Sequence, residues 1–515
     1  MENRDNLRRI IIATVISFVF FFAYDYFVLQ PSVANQVENN KTIKTTAKAP
    51  QNENKSAPVN RDNNFKVGEI AKIEAQNYEI TIDSLGRISR YVLKETKFNT
   101  EKGKHLELIP QKLPKPLEIR FSDETLNKKA FNTAVTIDKN FLKIENKPQS
   151  LTITQDLGTL KIKKVVTFYP NGRYDVKIEL SKGTEYYISP GYRPNVAIDQ
   201  LTIHGALIKK ADGTLEIIED GDAEPESINN AIIAAGFDRY YTTLLFSKKP
   251  ITAVIIPDEE KNPVLFVKTD KNLELTGYIG PKYVDTLKSI DPELVDVVQY
   301  GVGTFFARNL FFVLDWLYKI SGNWGIAIIL LVVLVRLVLF PLTYKGMVSM
   351  YKLKELAPKM KEIQQKYKKD PQKLQMHMMK LYKEHGANPL GGCLPLLLQI
   401  PIFYGIYKLL LYSIELKGAQ FLWIKDLSEM DPYFILPVLM GITMYIHQKL
   451  TPTNFQDPMQ EKIFKFLPVI FTVMMASFPA GLVLYWTTNN ILSILQQWII
   501  NKIMESKKAL MKAKK

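Results

Sequence analysis

The second half of the chain is dominated by apolar stretches at 325–344, 391–412, 432–450, 464–479 and 481–501. About 20 such residues cross the hydrocarbon of a bilayer, where every backbone polar group must be satisfied within the segment, so each stretch is read as a transmembrane helix. The last two are separated by only Phe478-Pro479-Ala480-Gly481 and form a tight helical hairpin. A sixth apolar run, Ile10 to Leu29, comes after Arg4, Arg8 and Arg9 and is broken mildly by Thr14, Ser17 and Asp25. Its length, and Tyr24, Tyr26 and Phe27 at the level of an interfacial aromatic belt, make residues 1–30 a membrane anchor. A cleaved signal peptide ending near Ser32-x-Ala34 is the alternative. The region immediately C-terminal to this run is exported in either case.

Residues 31–64 are Asn, Lys, Thr, Ala and Pro with almost no large apolar side chain, which reads as a disordered linker. Over 65–291 the pattern becomes short alternating runs such as Tyr78-Glu79-Ile80-Thr81-Ile82 and Tyr174-Asp175-Val176-Lys177-Ile178. Turn signals, among them Asn171-Gly172 and Asp212-Gly213, separate them. Period-2 alternation with turns at this spacing predicts an antiparallel β-sandwich. Residues 305–320 place Arg308, Asp315 and Lys319 on one helical face, predicting an amphipathic helix on the membrane surface; a buried core helix is the other reading.

The formal net charge of +15 suggests an anionic partner until it is counted by segment. The exported region 31–304 is nearly neutral at +1, and the loop 413–431 carries −2. Residues 345–385 carry +7, 501–515 carry +5, and 1–9 and 449–465 carry +1 each. Six spans put those four basic segments on one side, as the positive-inside rule requires. The charge therefore encodes orientation: both termini cytoplasmic, the large domain periplasmic. A basic globular domain for DNA is excluded, although anionic lipid and the ribosome remain partners for the basic hairpin and for the tail 502–515. A single cysteine, Cys393, excludes a disulfide framework and any cysteine-rich metal centre.

Arg336 interrupts an otherwise apolar run, Leu330 to Phe340. It lies nine residues before Lys345, about 13 Å along a helix. Burying it in lipid costs at least about 2.5–3.5 kcal/mol, so it faces protein or water. The interiors of spans two to six hold no Asp or Glu to pair with it. This favours a water-filled cavity in which the positive charge is left free for a transient partner, over a structural ion pair. Tyr485, Trp486, Asn489, Ser493 and Gln496 share one face of the last span, and Thr443, His447 and Gln448 lie on the fourth. Each either lines that cavity or ties helices together.

The segment 345–390 is a helical hairpin. Leu353, Leu356, Met360, Ile363 and Tyr367 step by 3 and 4, the turn Lys368-Lys369-Asp370-Pro371 supplies an N-cap and a first-turn proline, and Leu374, Met378 and Leu381 return along the inner face. Lys359, Lys366, Lys368 and Lys369 point outward, as a solvated or lipid-facing surface. Met376, Met378 and Met379 suit adaptable contacts with apolar clients, although such spacing also describes a plain helical seam. No phosphate-binding Gly-Lys-Ser/Thr loop, metal-ligand spacing or nucleophile–base arrangement stands out, so neither an enzyme nor a cofactor is expected.

Arg336 with Pro341-Leu342-Thr343, the hairpin, Asn388-Pro389-Leu390-Gly391-Gly392-Cys393-Leu394-Pro395 and Gln399-Ile400-Pro401-Ile402-Phe403 succeed one another in order. Then come Trp423-Ile424-x-Asp426-Leu427, Asp431-Pro432, Leu436-Pro437, Gln448-Lys449, Asp457-Pro458-Met459-Gln460 and Phe478-Pro479-Ala480-Gly481-Leu482-Val483-Leu484-Tyr485-Trp486. Across about 320–505 this resembles the YidC/Oxa/Alb membrane protein insertases, in the long bacterial form that carries a large periplasmic domain. The resemblance implies a multi-pass helical protein of the bacterial inner membrane, with six spans, a five-helix insertase core and an exported β-sandwich. It also implies a hydrophilic groove open to cytoplasm and lipid, with Arg336, Gln448 and Trp486 among its lining residues; Tyr485, Asn489 and Thr443 are added from the helical faces. Newly made integral membrane proteins, the Sec translocon and ribosomes are the implied partners. An anion transporter using Arg336, and a membrane-anchored envelope enzyme or sugar-binding module, are the competing classes.

Overall fold

The computed structural model describes residues 66–513, apart from 101–102, 113, 199–201, 302–303, 369, 387–393 and 451–457. The expected anchor (1–30) and linker (31–64) lie outside the described residues. Two compact units emerge, one from 66–95 with 99–301 and the other from 96–98 with 304–513.

The first unit is built from two sheets. The smaller holds β1 (Glu69–Ala75), β2 (Tyr78–Asp83), β3 (Ile88–Leu93), β4 (Leu106–Glu107) and β7 (Phe141–Ile144), in the order β4-β3-β2-β1-β7. The larger begins with β5 (Ile119–Phe121), β6 (Thr136–Ile137), β8 (Gln149–Asp156), β9 (Lys161–Phe168), β10 (Arg173–Leu180) and β11 (Tyr186–Ile188). It is completed by β12 (Gly205–Lys210), β13 (Leu215–Glu219), β14 (Glu226–Phe237), β15 (Tyr241–Pro257), β16 (Pro263–Thr269) and β17 (Leu273–Pro281). Its main path is β13-β12-β14-β15-β17-β10-β9-β8-β6, with β16, β11 and β5 branching from β15.

Alternation drives this assembly. In β9 the side chains of Ile162, Lys164, Val166 and Phe168 turn inward while Lys161 and Lys163 stay in water. The sheets meet through tyrosines: Tyr78 and Tyr91 stack at 5.1 Å, and the Tyr78 hydroxyl donates to the carbonyl of Tyr169 at 2.6 Å. Gly172, in the predicted Asn171-Gly172 turn, has φ of +85°, and a Cβ there would lie 2.8 Å from the Tyr91 hydroxyl, so a side chain is excluded twice over. One pairing corrects the purely antiparallel expectation: β1 and β7 run parallel, Lys72–Ala75 beside Phe141–Ile144. Two helices also sit among the strands, α1 (Glu124–Asn132), capped by the Asp123 side chain accepting from the Leu126 amide at 2.6 Å, and α2 (Val284–Ile290).

Charge is buried in this unit. Arg87 bridges Asp83 (2.8 Å) and Glu118 (2.7 Å) with all three side chains nearly inaccessible. Lys164 donates to the carbonyls of Gly86 (2.6 Å) and Leu117 (3.2 Å), and burial lowers its ammonium to about 8.

The second unit is helical: α3 (Thr304–Ser321), α4 (Trp324–Lys366), α5 (Pro371–Glu384), α6 (Leu394–Tyr412), α7 (Ile435–Leu450), α8 (Pro458–Met475) and α9 (Ala480–Ala513). In α3, Ala307, Phe311, Leu314 and Leu317 are buried, whereas Phe305, Phe312, Trp316 and Ile320 are exposed. Helix α4 is continuous through Pro341 and Pro358, so the outgoing arm of the hairpin extends the helix that carries Arg336. Among the described residues one segment, Trp324–Leu353, is by length and composition apolar enough to cross a membrane. Leu356 and Met360 of α4 pack on Met378 and Leu381 of α5, with Leu353, Ile363, Leu374 and Tyr382 around them. Asp370 caps α5 by accepting from the Lys373 amide at 3.1 Å.

The segment 413–434 is held by its own polar side chains. Asp431, nearly inaccessible, accepts from the indole of Trp423 (3.1 Å) and the amides of Tyr433 (3.1 Å) and Leu436 (2.7 Å), which secures the start of α7. Asp426 accepts from the amide and hydroxyl of Ser428. The amides of Ala480 and Gly481, first in α9 and without intrahelical partners, donate to the carbonyls of Glu429 (2.7 Å) and Leu427 (2.9 Å).

Candidate functional site

Arg336 leaves the side of α4 that faces α9, while Leu337 and Val338 beside it are 68% and 71% exposed. Its guanidinium lies along a row of acceptors on three successive turns of α9. Nε and Nη2 donate to Oδ1 of Asn489 at 3.0 and 2.8 Å, and Nη2 also reaches the Asn489 carbonyl at 3.0 Å. Nη2 donates to the hydroxyl of Ser493, and Nη1 to Oε1 of Gln496 at 3.1 Å. The row is supported from behind. Ser493 donates to the Asn489 carbonyl (2.7 Å), and Gln496 Nε2 donates to the hydroxyl of Thr343 on α4 (2.8 Å).

Neutral dipoles therefore replace the water that an arginine loses on burial. Among the described residues no carboxylate pairs with Arg336, so its hydrogen-bonding demand is largely met while its full charge is uncompensated. The arginine is docked on α9, and what stays available is its field.

Of the residues expected to share the site, Asn489, Ser493 and Gln496 bond Arg336 directly, whereas Trp486, Thr443 and Gln448 are engaged with other neighbours. Trp486 packs between Phe403 of α6 (ring centroids 4.8 Å, edge-on) and Phe471 of α8 (5.5 Å). Tyr485 is buried, its ring 6.1 Å from that of Phe403. Thr443 donates to the Met440 carbonyl at 2.9 Å and lies 3.4 Å from Nδ2 of Asn490. Gln448 donates to the carbonyl of Phe464, tying α7 to α8. Thr443 and Gln448 thus serve here as ties between helices. Ser493 and Gln496 were legible on the polar face of the last span, but Thr343 carried no signal beyond its place in a motif.

On the hairpin, Lys359, Lys366 and Lys368 are exposed; the Lys359 ammonium is 3.3 Å from Nε2 of His385 and that of Lys366 is 5.7 Å from the Tyr367 ring centre. Lys369 is outside the described residues. Met376 and Met379 are 59% and 66% exposed, but Met378 is spent in the seam, which leaves two methionines for the expected cluster.

With this geometry in place, similarity to known proteins becomes informative. The chain is 50% identical to the membrane protein insertase YidC of Wolinella succinogenes over 100% of its own length and 99% of that protein. It belongs to the YidC family. The YidC insertase of Helicobacter pylori is 48% identical, over 99% of this chain and 98% of its relative. The family model for the 60Kd inner membrane protein matches residues 316–508, the span of the helical unit that includes Arg336, α9 and the hairpin. A solved crystal structure of an active YidC insertase with its first transmembrane domain resolved is 22% identical, covers 84% of this chain and 94% of that one, and has a TM-score of 0.36.

Proposed function

We propose that this chain, a membrane protein insertase of the inner membrane and not an enzyme, moves the polar exported segment of a client past Arg336 while the client's apolar segment enters lipid. The single observation that carries the reading is the uncompensated Arg336 charge, held beside apolar surface by neutral acceptors. The field of such a charge attracts a client carboxylate and costs no reorganisation of the site when the client arrives. Transfer of the apolar segment out of water drives the process, and no covalent bond changes.

Six spans with both termini in the cytoplasm and the β-rich unit in the periplasm are part of this proposal. The segment charges support it, as do the exposed apolar faces of Val438 and Ile442 on α7, Phe466 and Val473 on α8, and Ile491 and Leu495 on α9, which suit lipid and not water. In the same proposal Trp486, Tyr485, Gln448 and Thr443 wall the groove, Gln448 and Thr443 doing so besides tying helices, and Met376 and Met379 with Lys359, Lys366, Lys368 and Lys369 contact clients, ribosomes or anionic lipid. Cooperation with the Sec translocon belongs to the same reading.

The test is Arg336→Glu, reconstituted in liposomes and supplied with clients whose exported tails differ only by Asp against Asn. Insertion of the Asp client is expected to fall about tenfold relative to the Asn client, the effect of about 1.4 kcal/mol of lost attraction. An Asp-to-Asn insertion ratio unchanged from wild type rejects the electrostatic role.

A further inference from the structure

We infer that Thr343 is a positioning residue for Arg336, acting through Gln496, and that this pair sets the preference for acidic clients; the inference rests on the function proposed above. A glutamine side chain has an accepting and a donating end of the same shape, and nothing in its own covalent structure decides which faces Arg336. Thr343 decides it. Its hydroxyl lies 3.1 Å from the carbonyls of both Leu339 and Phe340 in the preceding turn of α4, so its one hydrogen is committed there and only lone pairs remain. The Gln496 amide nitrogen must then face Thr343, at 2.8 Å, which turns Oε1 onto Nη1 of Arg336 at 3.1 Å. The reversed amide would set an N–H against the guanidinium and a carbonyl oxygen against a lone pair. Thr343 and Gln496 are each 9% exposed, so solvent does not offer an easy substitute for either bond.

Ser493 repeats the device one turn earlier. Its hydroxyl hydrogen goes to the Asn489 carbonyl, leaving lone pairs for Nη2 of Arg336. The face of α9 toward Arg336 is thereby made of acceptors alone, and Thr343 supplies the part of that polarity that α9 cannot supply for itself. Removing the Thr343 hydroxyl takes away the anchor that holds the Gln496 amide against α4, so Oε1 is no longer fixed on Nη1 and the guanidinium is free to leave its place.

The experiment uses the full chain in liposomes with the Asp and Asn client pair. Thr343→Val preserves shape and removes the hydroxyl, and is expected to lower the Asp-to-Asn insertion ratio about tenfold, the scale of one hydrogen bond to a charged group. Thr343→Ser, which keeps the hydroxyl, is expected to restore the ratio. An unchanged ratio in Thr343→Val, an equal fall for both clients, or a loss that Thr343→Ser shares overturns the inference. Gln496→Leu reads the same relay from its other end if Thr343→Val does not accumulate; an unchanged ratio there overturns it equally. Arg336→Gln separates the two levels. If Arg336→Gln leaves the ratio unchanged, the electrostatic groove itself is wrong; if Arg336→Gln alters it and Thr343→Val does not, only the positioning role is.

Discussion

Replacing Asn489 by Asp changes almost no volume yet places an anion where Oδ1 now accepts from Nε and Nη2 of Arg336 at 3.0 and 2.8 Å. With charge centres about 4 Å apart and an effective dielectric near 20, the new attraction is about 4 kcal/mol. Bringing the carboxylate out of water costs several kcal/mol, so the net effect on stability lies between about zero and a small gain. The effect on function is larger in relative terms. A client carboxylate about 5 Å from an uncompensated guanidinium gains about 3 kcal/mol at that dielectric, and beside a neutralised pair it gains almost none. Screening by the surrounding water and salt reduces this to about 1.4 kcal/mol, or tenfold. Asn489→Asp is therefore expected to melt at or above the wild-type temperature while its Asp-to-Asn insertion ratio falls about tenfold from the wild-type value. Protease protection of the client in liposomes measures insertion, and thermal unfolding in detergent measures stability. Wild-type insertion of the acidic client by a normally stable variant would refute the reasoning.

Packing and burial give two further outcomes. A Cβ at Gly441 would lie 2.0 Å from the Thr472 hydroxyl oxygen, so Gly441→Ala should force α7 and α8 apart and cost about 1–3 kcal/mol; adding Thr472→Ala should recover much of the melting temperature. In the β-rich unit, Lys164 sits at about 8 against an ordinary lysine value of 10.5, because burial disfavours its charged form. Between those values the unfolded chain holds a proton that the folded chain has released, so stability rises with pH across that window by up to about 3 kcal/mol. Lys282 is lowered to about 8 by the same cause. Lys164→Met should remove roughly half of the rise in melting temperature between pH 7.5 and 9.5, monitored by far-ultraviolet circular dichroism; an unaltered rise counts against the buried-amine account.

Arg336 and Asn489 were legible because intramembrane charge is costly and because residues four apart share a helical face. The alternation of 65–291 likewise announced strands, and the Asn171-Gly172 turn falls between β9 and β10. What periodicity does not encode is which face of one helix meets which neighbour. Thr443 and Gln448 sit on a polar stretch like that of Asn489, yet they bond Met440 and Phe464 instead of Arg336. Thr343 was hidden for the complementary reason: its partner lies 153 residues away. The parallel contact of β1 with β7 is non-local in the same sense, and α1 is too short for its period to stand out between strands. The Trp423, Asp426 and Asp431 motif residues turned out to brace a loop, a purpose that a motif alone does not state.

The unbroken course of α4 has a mechanical consequence. Arg336 and Met360 stand on one helix, 24 residues or about 36 Å of helical rise apart. The end near Arg336 is clamped by its bonds to α9, whereas the far end bears the hairpin. A swing of about 5° moves the hairpin end by about 3 Å but leaves the guanidinium, close to the fulcrum, nearly still. Such a lever works as a mechanical filter: the hairpin end can yield to whatever it touches without detuning the charge it is connected to.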